Sequence, residues 1–476
     1  MGRRKSRRGS LLTAISSRAV DLADRWFPDA YIIALCGVVA VSIAAVLNGA
    51  SLMAVSIAFG DGFWSLAPFT LQMAYVAIGG FVVATSPVAT RLLKYLASRP
   101  RSGRAAVIYV AGFSIALSLL NWGLSLIFSG LLVRELARRT DLTLDYRAAG
   151  AAAYLGLGCG FTLGLSSSAA QIQANPSSIP ASLLPVTGVI GFADTIFTWQ
   201  NGLTIGVLTS LSLAVCYWSA PIGTGIRTAE DLGIENPPAA PLAPPRPARP
   251  GDYLAKSPIL TIVIVALGLG WVIHNFLSND PIAAISGLNT YNFVFLLLGI
   301  LLHWRPDSLL QAFSRAVPSI GGVLLQFPFY AGIAQILTVP HGPTGDTLSH
   351  TIAQFFISAS AGTTSFAAVV GLYSAALGFF IPSAGAKWII EAPYIAAAAN
   401  EIGAHLGWTV MVYNIAETLP NFINPFWMLP LLGILGLKAK DLVGFTVIQF
   451  IVHFPVAIAL GALLMRTFEY RPPQFR

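Results

Sequence analysis

Charge is the first thing this sequence lacks. Asp, Glu, Lys and Arg make up 10% of its 476 residues, where a soluble domain carries roughly a quarter, and a cytosolic enzyme is thereby excluded. Cysteine is close to absent as well. Cys36, Cys159 and Cys216 each sit inside an apolar run with no CxxC and no metal-ligand spacing. A secreted disulfide scaffold is excluded, and the three read as small buried hydrophobes. There is no Walker loop, no GxSxG and no HExxH, so an ATP-driven pump has no support and no catalytic group, metal or cofactor is expected. The six histidines are scattered without ligand spacing.

What fills the chain instead is apolar. Hydrophobic residues account for 55% of it, and the mean hydropathy is +0.71. At about 20 apolar residues per spanning helix, that is enough for roughly ten spans. The expected class is an all-α polytopic membrane protein whose environment is the lipid bilayer. Lys and Arg exceed Asp and Glu by 28 to 20. Cytoplasmic loops explain that excess without invoking nucleic acid as a partner.

The basic residues fall in clusters: 3–25, 91–104, 134–147, 227–256, Arg305 with Arg315, and Lys438 with Lys440. Segments 48–66, 165–202, 277–290 and 339–386 hold no Lys or Arg at all. By the positive-inside rule the clusters are cytoplasmic and the bare segments lie outside or within the membrane. The N-terminus is expected in the cytoplasm, its basic arm retained, and the C-terminus in the periplasm, where Arg466, Arg471 and Arg476 fit poorly. The apolar run 105–133 has basic clusters at both ends and is interrupted at Asn121-Trp122-Gly123. It therefore reads as a re-entrant helical hairpin with a polar tip. The stretch 351–403, interrupted at Ser383-Ala384-Gly385, enters from the other side.

Seven prolines between Pro237 and Pro250 mark an extended linker. It divides the chain into a basic arm (1–29), a first transmembrane repeat (30–219), the linker (220–257) and a second repeat (258–476). Features recur in the same order in both halves. Gln72, Tyr75 and Gly79 match Gln326, Tyr330 and Gly332; the two breaks match; Tyr154 with Ser166, Ser167 and Ser168 matches Tyr413 with Asn421 and Asn424. Hairpins entering from opposite sides make this an inverted-topology repeat, the pattern of many secondary transporters.

Backbone freed from helical bonding at membrane depth is tolerated only against protein or a water-filled cavity. Half-helix N-termini there suit a carboxylate. The candidate substrate-binding residues are Asn121, Trp122 and Gly123 at the first tip, Ser383, Gly385 and Lys387 at the second, and Ser166, Ser167, Ser168 and Asn421 between them. Packing and helix capping are the bland alternative for each. An intramembrane charge costs roughly 2.5–3.5 kcal/mol on insertion scales, so Lys387, Glu391 and Glu417 each call for a partner or a function. Lys387 and Glu391 stand one turn apart and can pair. Glu417 has no basic residue within helical reach and could bind a proton or a sodium ion, or pair with Lys387 across the fold.

Several stretches resemble the bacterial short-chain fatty acid transporters, within the wider ion transporter superfamily. They are Asp61-Gly62-Phe63-Trp64, Asn121-Trp122-Gly123, Arg134-Glu135-Leu136-Ala137-Arg138-Arg139, Gln326-Phe327-Pro328-Phe329-Tyr330-Ala331-Gly332-Ile333, Ile381-Pro382-Ser383, Trp388, and Pro425-Phe426-Trp427-Met428-Leu429-Pro430. The resemblance implies an inner-membrane carrier of short monocarboxylates, two inverted repeats with two re-entrant hairpins, and a homodimer. The chain departs from the family pattern in carrying Lys387 and Glu391 where neutral residues are usual, and less glycine at Gly164-Leu165-Ser166-Ser167-Ser168. It retains Glu417 and Asn421. The expected function is secondary active transport of a small carboxylate by proton or sodium symport, with Glu417 as the coupling residue. The same fold carrying a dicarboxylate or other small organic anion is the alternative.

Overall fold

The computed structural model describes residues 30–234, 249–381, 383–424 and 426–475. The basic arm 1–29, the proline run from Pro237 to Pro247, Pro382, Pro425 and Arg476 lie outside the described residues. Those described are helical and contain no sheet.

Helix starts follow capping chemistry. Ser86, Ser102, Asn121, Asp145, Thr198 and Thr347 each accept the amide three residues on, at 2.9–3.3 Å. A short polar side chain thereby satisfies one of the four donors that a helix start leaves free. Helix composition decides the rest: runs such as Ile259–Ser278 are apolar all round and expose Leu267, Trp271 and Leu277, which lipid tolerates. Seven helices among the described residues are long and apolar enough to cross a membrane. Length alone does not decide, since one of them, Gly103–Leu120, is an arm of a hairpin.

The order of elements repeats. Helix Ala67–Ala84, short helix Pro87–Ala97, hairpin Gly103–Leu120 with Trp122–Ala137, broken helix Tyr146–Cys159 with Ser168–Ala174, and helix Trp199–Ser219 make the first set. Helix Gly321–Thr338, short helix Leu348–Ser358, hairpin Thr363–Gly378 with Ala384–Ile402, broken helix Leu406–Glu417 with Leu429–Leu435, and helix Ala439–Leu464 make the second.

Contacts sort the loops to two ends. At one end Arg139 donates to the carbonyls of Ala97 and Pro100 at 2.9 and 2.7 Å, the Tyr146 amide bonds Arg227 O at 2.9 Å, and the Tyr146 hydroxyl reaches Leu435 O at 3.0 Å. The basic segments near 97–104, 134–147, 225–234 and 435–441 therefore meet. Asp141, held by the Arg139 guanidinium there, titrates below the usual carboxylate range. At the opposite end Thr351 bonds Asn48, Asn400 bonds Val186 O, and Arg471 pairs with Asp194 at 3.2 Å. Arg466, out of place in the charge pattern, donates to Thr364 at 3.1 Å. The first hairpin starts and finishes at the basic end, the second at the other, and both turn back in the interior.

The breaks differ from the sequence reading in register. At the first, only Asn121 leaves the helix (φ −157°, ψ 123°); Trp122 and Gly123 already belong to the second arm. At the second, the chain leaves helix at Phe379, and Ala384 and Gly385 form the first turn of the next arm. A proline at 382 disfavours helical backbone at residue 381, so the break sits ahead of the small residues rather than on them. The expected stretch 351–403 is three helices, not two.

Small residues set how closely elements approach, both between the two sets and within the first. A Cβ on Gly158 would lie 2.1 Å from the Phe422 ring, and one on Gly164 2.2 Å from Leu119 O and 2.3 Å from Leu119 Cα. Backbone cannot yield as a flexible side chain can. Gly164→Ala should cost about 1–3 kcal/mol by overpacking and lower the thermal midpoint of the detergent-solubilised protein. Gly206→Ala, at a position with no atom within 4 Å, should leave that midpoint unchanged.

Candidate functional site

The two hairpins turn back on either side of a cavity of about 500 Å³. Trp122 comes to it from the first hairpin, Ser383, Ala384 and Gly385 from the second, Leu157, Phe161 and Ser168 from the first broken helix, and Asn421 and Trp427 from the second. Gly321, Gln326 and Phe327 close it from helix Gly321–Thr338. Its walls are largely apolar, with aromatic rings prominent among them. Trp122 and Trp427 meet edge-on with centroids 5.4 Å apart, and Phe327 stacks on Phe69 at 5.8 Å. No Lys, Arg, His, Asp or Glu is among the described residues that line it.

Of the residues singled out in the sequence, Trp122, Ser168, Ser383, Gly385 and Asn421 line this cavity. Ser383 leaves its helix uncapped: its side chain makes no bond to the first-turn amides of Ala384–Ile402. These first-turn donors stand at the positive dipole end of a 19-residue helix whose first residues, Ala384 and Gly385, line the cavity. Ser168 is 8% exposed and packs against Gly385, where a Cβ would stand 3.1 Å from the serine Cβ. Asn421, 1% exposed, donates Nδ2 to Leu157 O at 3.0 Å, and its Oδ1 has no hydrogen-bond partner among the described residues.

The others hold the frame. Asn121 caps Leu124 through Oδ1 and donates Nδ2 to Val76 O at 3.0 Å and to the Tyr291 hydroxyl at 2.9 Å. Gly123 allows the hairpin to approach Ala77 O, which a Cβ would meet at 3.0 Å. Ser166 donates to Ser118 O at 2.7 Å. Ser167 caps Ala170 and accepts from Asn414 Nδ2 at 2.9 Å.

Lys387 lies behind the cavity lining, not on it. Its Nζ donates to Glu391 Oε1 at 3.1 Å and to Ser374 O at 2.9 Å, and rests 4.3 Å from the Tyr413 ring centroid. Both partners of the pair are 0% exposed. The one-turn spacing thus produces the mutual pair. Glu417 is 1% exposed, and neither carboxylate oxygen has a hydrogen-bond partner among the described residues. Among them there is also no group of three His, Cys, Asp or Glu placed to hold a metal ion.

Sequence reasoning missed Gln326, Phe161, Phe327 and Trp427 as cavity residues. Gln326-Phe327 and Phe426-Trp427 already stood out as motif residues, and that was the available signal.

A family model described as "Short chain fatty acid transporter" matches residues 11–465. The chain belongs to the short-chain fatty acid transporter family. Relatives named "Putative short-chain fatty acid transporter" occur in Escherichia coli, 32% identical over 92% of this chain and 96% of that protein, and in Haemophilus influenzae, 31% identical over 84% and 88%. Two solved structures share the fold at low identity. The Neisseria gonorrhoeae protein MtrF, described within a class of antimetabolite efflux pumps, has a TM-score of 0.54 at 14% identity and covers 94% of this chain and 97% of its own. The Alcanivorax borkumensis YdaH transporter, noted for an unusual topology, gives 0.54 at 15%, over 92% and 98%. This member of the short-chain fatty acid transporter family is a multi-pass membrane transporter and not an enzyme.

Removing one partner of a buried ion pair strands the other charge, at a cost of about 3–5 kcal/mol. Lys387→Met should therefore lower the thermal midpoint sharply. Lys387→Met/Glu391→Gln, which strands neither, should recover most of the loss. Equal midpoints for the single and double variants would contradict the pairing.

Proposed function

We propose that this transporter is a secondary active carrier of a short-chain monocarboxylate, driven by an ion gradient. The observation that carries the reading is the cavity between two hairpin turns reached from opposite ends of the bundle. One polar edge is an uncapped helix N-terminus beside Ser168 and Ser383; Gln326 and Asn421 add further polar atoms, and most of the rest is apolar. A carboxylate is suited to the amides of the Ala384–Ile402 helix start, with Ser168 and Ser383 donating and Gly385 leaving room for close approach. The short alkyl tail would lie against Trp122, Phe161 and Phe327. Asn121, Gly123, Ser166, Ser167 and Asn421 support that arrangement rather than touch the ligand, Asn421 through its free Oδ1 excepted.

Glu417 is the coupling residue in this reading. It is a buried carboxylate with no hydrogen-bond donor among the described residues, so a cation arriving from one side and leaving on the other would change its charge state with the cycle. The end where the basic segments meet is read as cytoplasmic, in a bacterial inner membrane, with repeats over 30–219 and 258–476 and the C-terminus periplasmic. A homodimer fits the family resemblance. A dicarboxylate is the weaker cargo, because the cation it needs, Lys387, is committed to Glu391. A larger apolar organic anion is the better alternative, favoured by a cavity of about 500 Å³, within the range of drug-sized sites.

The test is uptake of labelled butyrate or acetoacetate into proteoliposomes. A hydrogen bond to a charged group contributes about 1.5–3 kcal/mol. Ser168→Ala and Ser383→Ala should each raise the half-saturation concentration roughly tenfold or more with the maximal rate little changed. Glu417→Gln should still bind substrate but lose gradient-driven accumulation. Unaltered concentrative uptake in Glu417→Gln would remove the coupling role, and unaltered half-saturation in both serine variants would remove the proposed anion cradle.

A further inference from the structure

The first helix of each set carries a glutamine at the same register. Gln72 is the sixth residue of Ala67–Ala84, and Gln326 is the sixth of Gly321–Thr338. An amide in an apolar helix costs free energy unless both its ends find partners. Gln72 uses its whole amide: Nε2 donates to Asn289 Oδ1 at 2.8 Å, and Oε1 accepts from the Ser178 hydroxyl at 3.2 Å. Gln326 uses half. Its Oε1 accepts from the Tyr330 hydroxyl, one turn along, at 3.3 Å, and its Nε2 bonds nothing among the described residues. The residue is nevertheless 8% exposed.

That free donor stands at the candidate cavity. Gln326 lines it together with Gly321, Gly322 and Phe327. Its Nε2 lies over Gly322, where a Cβ would come 3.6 Å from it and within 4 Å of no other atom. Glycine at 321 and 322 thus keeps side chains out of the space beside the donor. The position is distinct from the carboxylate cradle, and Phe69 spans the two. The Phe69 ring lies against Gly385, where a Cβ would meet Cζ at 3.2 Å, and stacks on Phe327, the neighbour of Gln326, with centroids 5.8 Å apart. An amide nitrogen donates and does not accept. Its complement is an acceptor oxygen on the ligand, set apart from the carboxylate. A plain alkyl chain laid there would strip the donor of water and offer it no bond.

Resting on the carrier reading above, we infer that Gln326 is a specificity-determining residue that selects short monocarboxylates with a carbonyl oxygen on carbon 3 or 4 over unsubstituted fatty acids. The carboxylate sits at the Ala384–Ile402 helix start, the chain runs along Phe327, and the oxo group accepts from Gln326 Nε2. A carbonyl on carbon 2 stays beside the carboxylate, does not reach past the ring stack and gains nothing. Gln72, bonded at both ends, has no part in recognition.

The test is uptake by the reconstituted full chain of labelled acids in matched pairs: 3-oxobutyrate against butyrate, and 4-oxopentanoate against pentanoate. In the wild type the oxo acid of at least one pair should reach half-maximal uptake at a concentration roughly fivefold or more below that of its parent, the scale of one hydrogen bond. 2-Oxobutyrate should match butyrate. Gln326→Met keeps the length and removes the donor, so the ratio within the pair should fall to about one while the parent acid is handled within about twofold of wild type. Gln72→Met should lower the thermal midpoint and keep the wild-type ratio. Equal half-saturation within both wild-type pairs overturns the inference and leaves the carrier reading intact, and that comparison needs no variant to fold. A preference that survives in Gln326→Met, or is lost equally in Gln72→Met, overturns it as well. So does an equal gain for 2-oxobutyrate, which would put the second oxygen at the cradle. If none of these acids is taken up, the carrier reading itself fails and this inference falls with it.

Discussion

A peptide group that loses its helical partner inside a bilayer has no water to turn to. Among the described residues this chain breaks its helices at four interior places, and several of its buried polar side chains answer them. Asn121 answers the first break three times over, capping one helix while tying it to Val76 O and the Tyr291 hydroxyl. Thr162 donates to Asn414 O at 2.9 Å, so each broken helix supplies what the other lost. Tyr413 reaches Ala384 O at 2.6 Å at the second hairpin turn. Where this satisfaction stops, at the amides after Ser383 and at Glu417 and Asn421, the molecule has unspent polarity. Ser383 and Asn421 line the candidate cavity, and Glu417 is the residue proposed to couple it to an ion gradient.

The same constraint explains why the cavity can be mostly apolar and lack a charge among the described residues that line it. A lysine on its wall would be poorly solvated between transport events. Placed one layer back and neutralised by Glu391, the charge adds to the field without facing the ligand. In the proposed carrier, backbone amides and hydroxyls would then provide recognition that needs no counter-ion of its own.

Much of this was legible before any coordinates. Clusters of Lys and Arg on both sides of 105–133 required that run to turn back, and Asn121 is a strong helix-start residue, so the first hairpin turn could be placed to within two residues, Trp122 and Gly123 belonging to the second arm and not to the break. The second was misplaced by a turn. Its break occurs in Phe379-Phe380-Ile381, which carries no polar signal, while Ala384 and Gly385, which looked like the interruption, are compatible with a helix start. Lys387 and Glu391 four apart could be read as a pair and are one. The aromatic wall could not be read. In a membrane helix a Phe or Trp facing lipid and one facing a cavity have the same sequence neighbourhood, and only the packing of Phe161, Phe327 and Trp427 distinguishes them. Nor does periodicity reveal that Ser166 donates to carbonyls and Ser167 accepts from the Ala170 amide and Asn414 while Ser168, next along, lines the cavity.

The contacts that join the two broken helices have a price in time. Asn421 to Leu157, Thr162 to Asn414 and Asn414 to Ser167 link residues 264, 252 and 247 positions apart. At roughly 5–20 residues per second, a ribosome that has just emitted Leu157 needs on the order of ten to fifty seconds to deliver Asn421. Throughout that interval the first half must wait in the lipid with its snapped helix unmatched. The nascent chain is thus most exposed to wrong partners, and to degradation, between its midpoint and its last two helices.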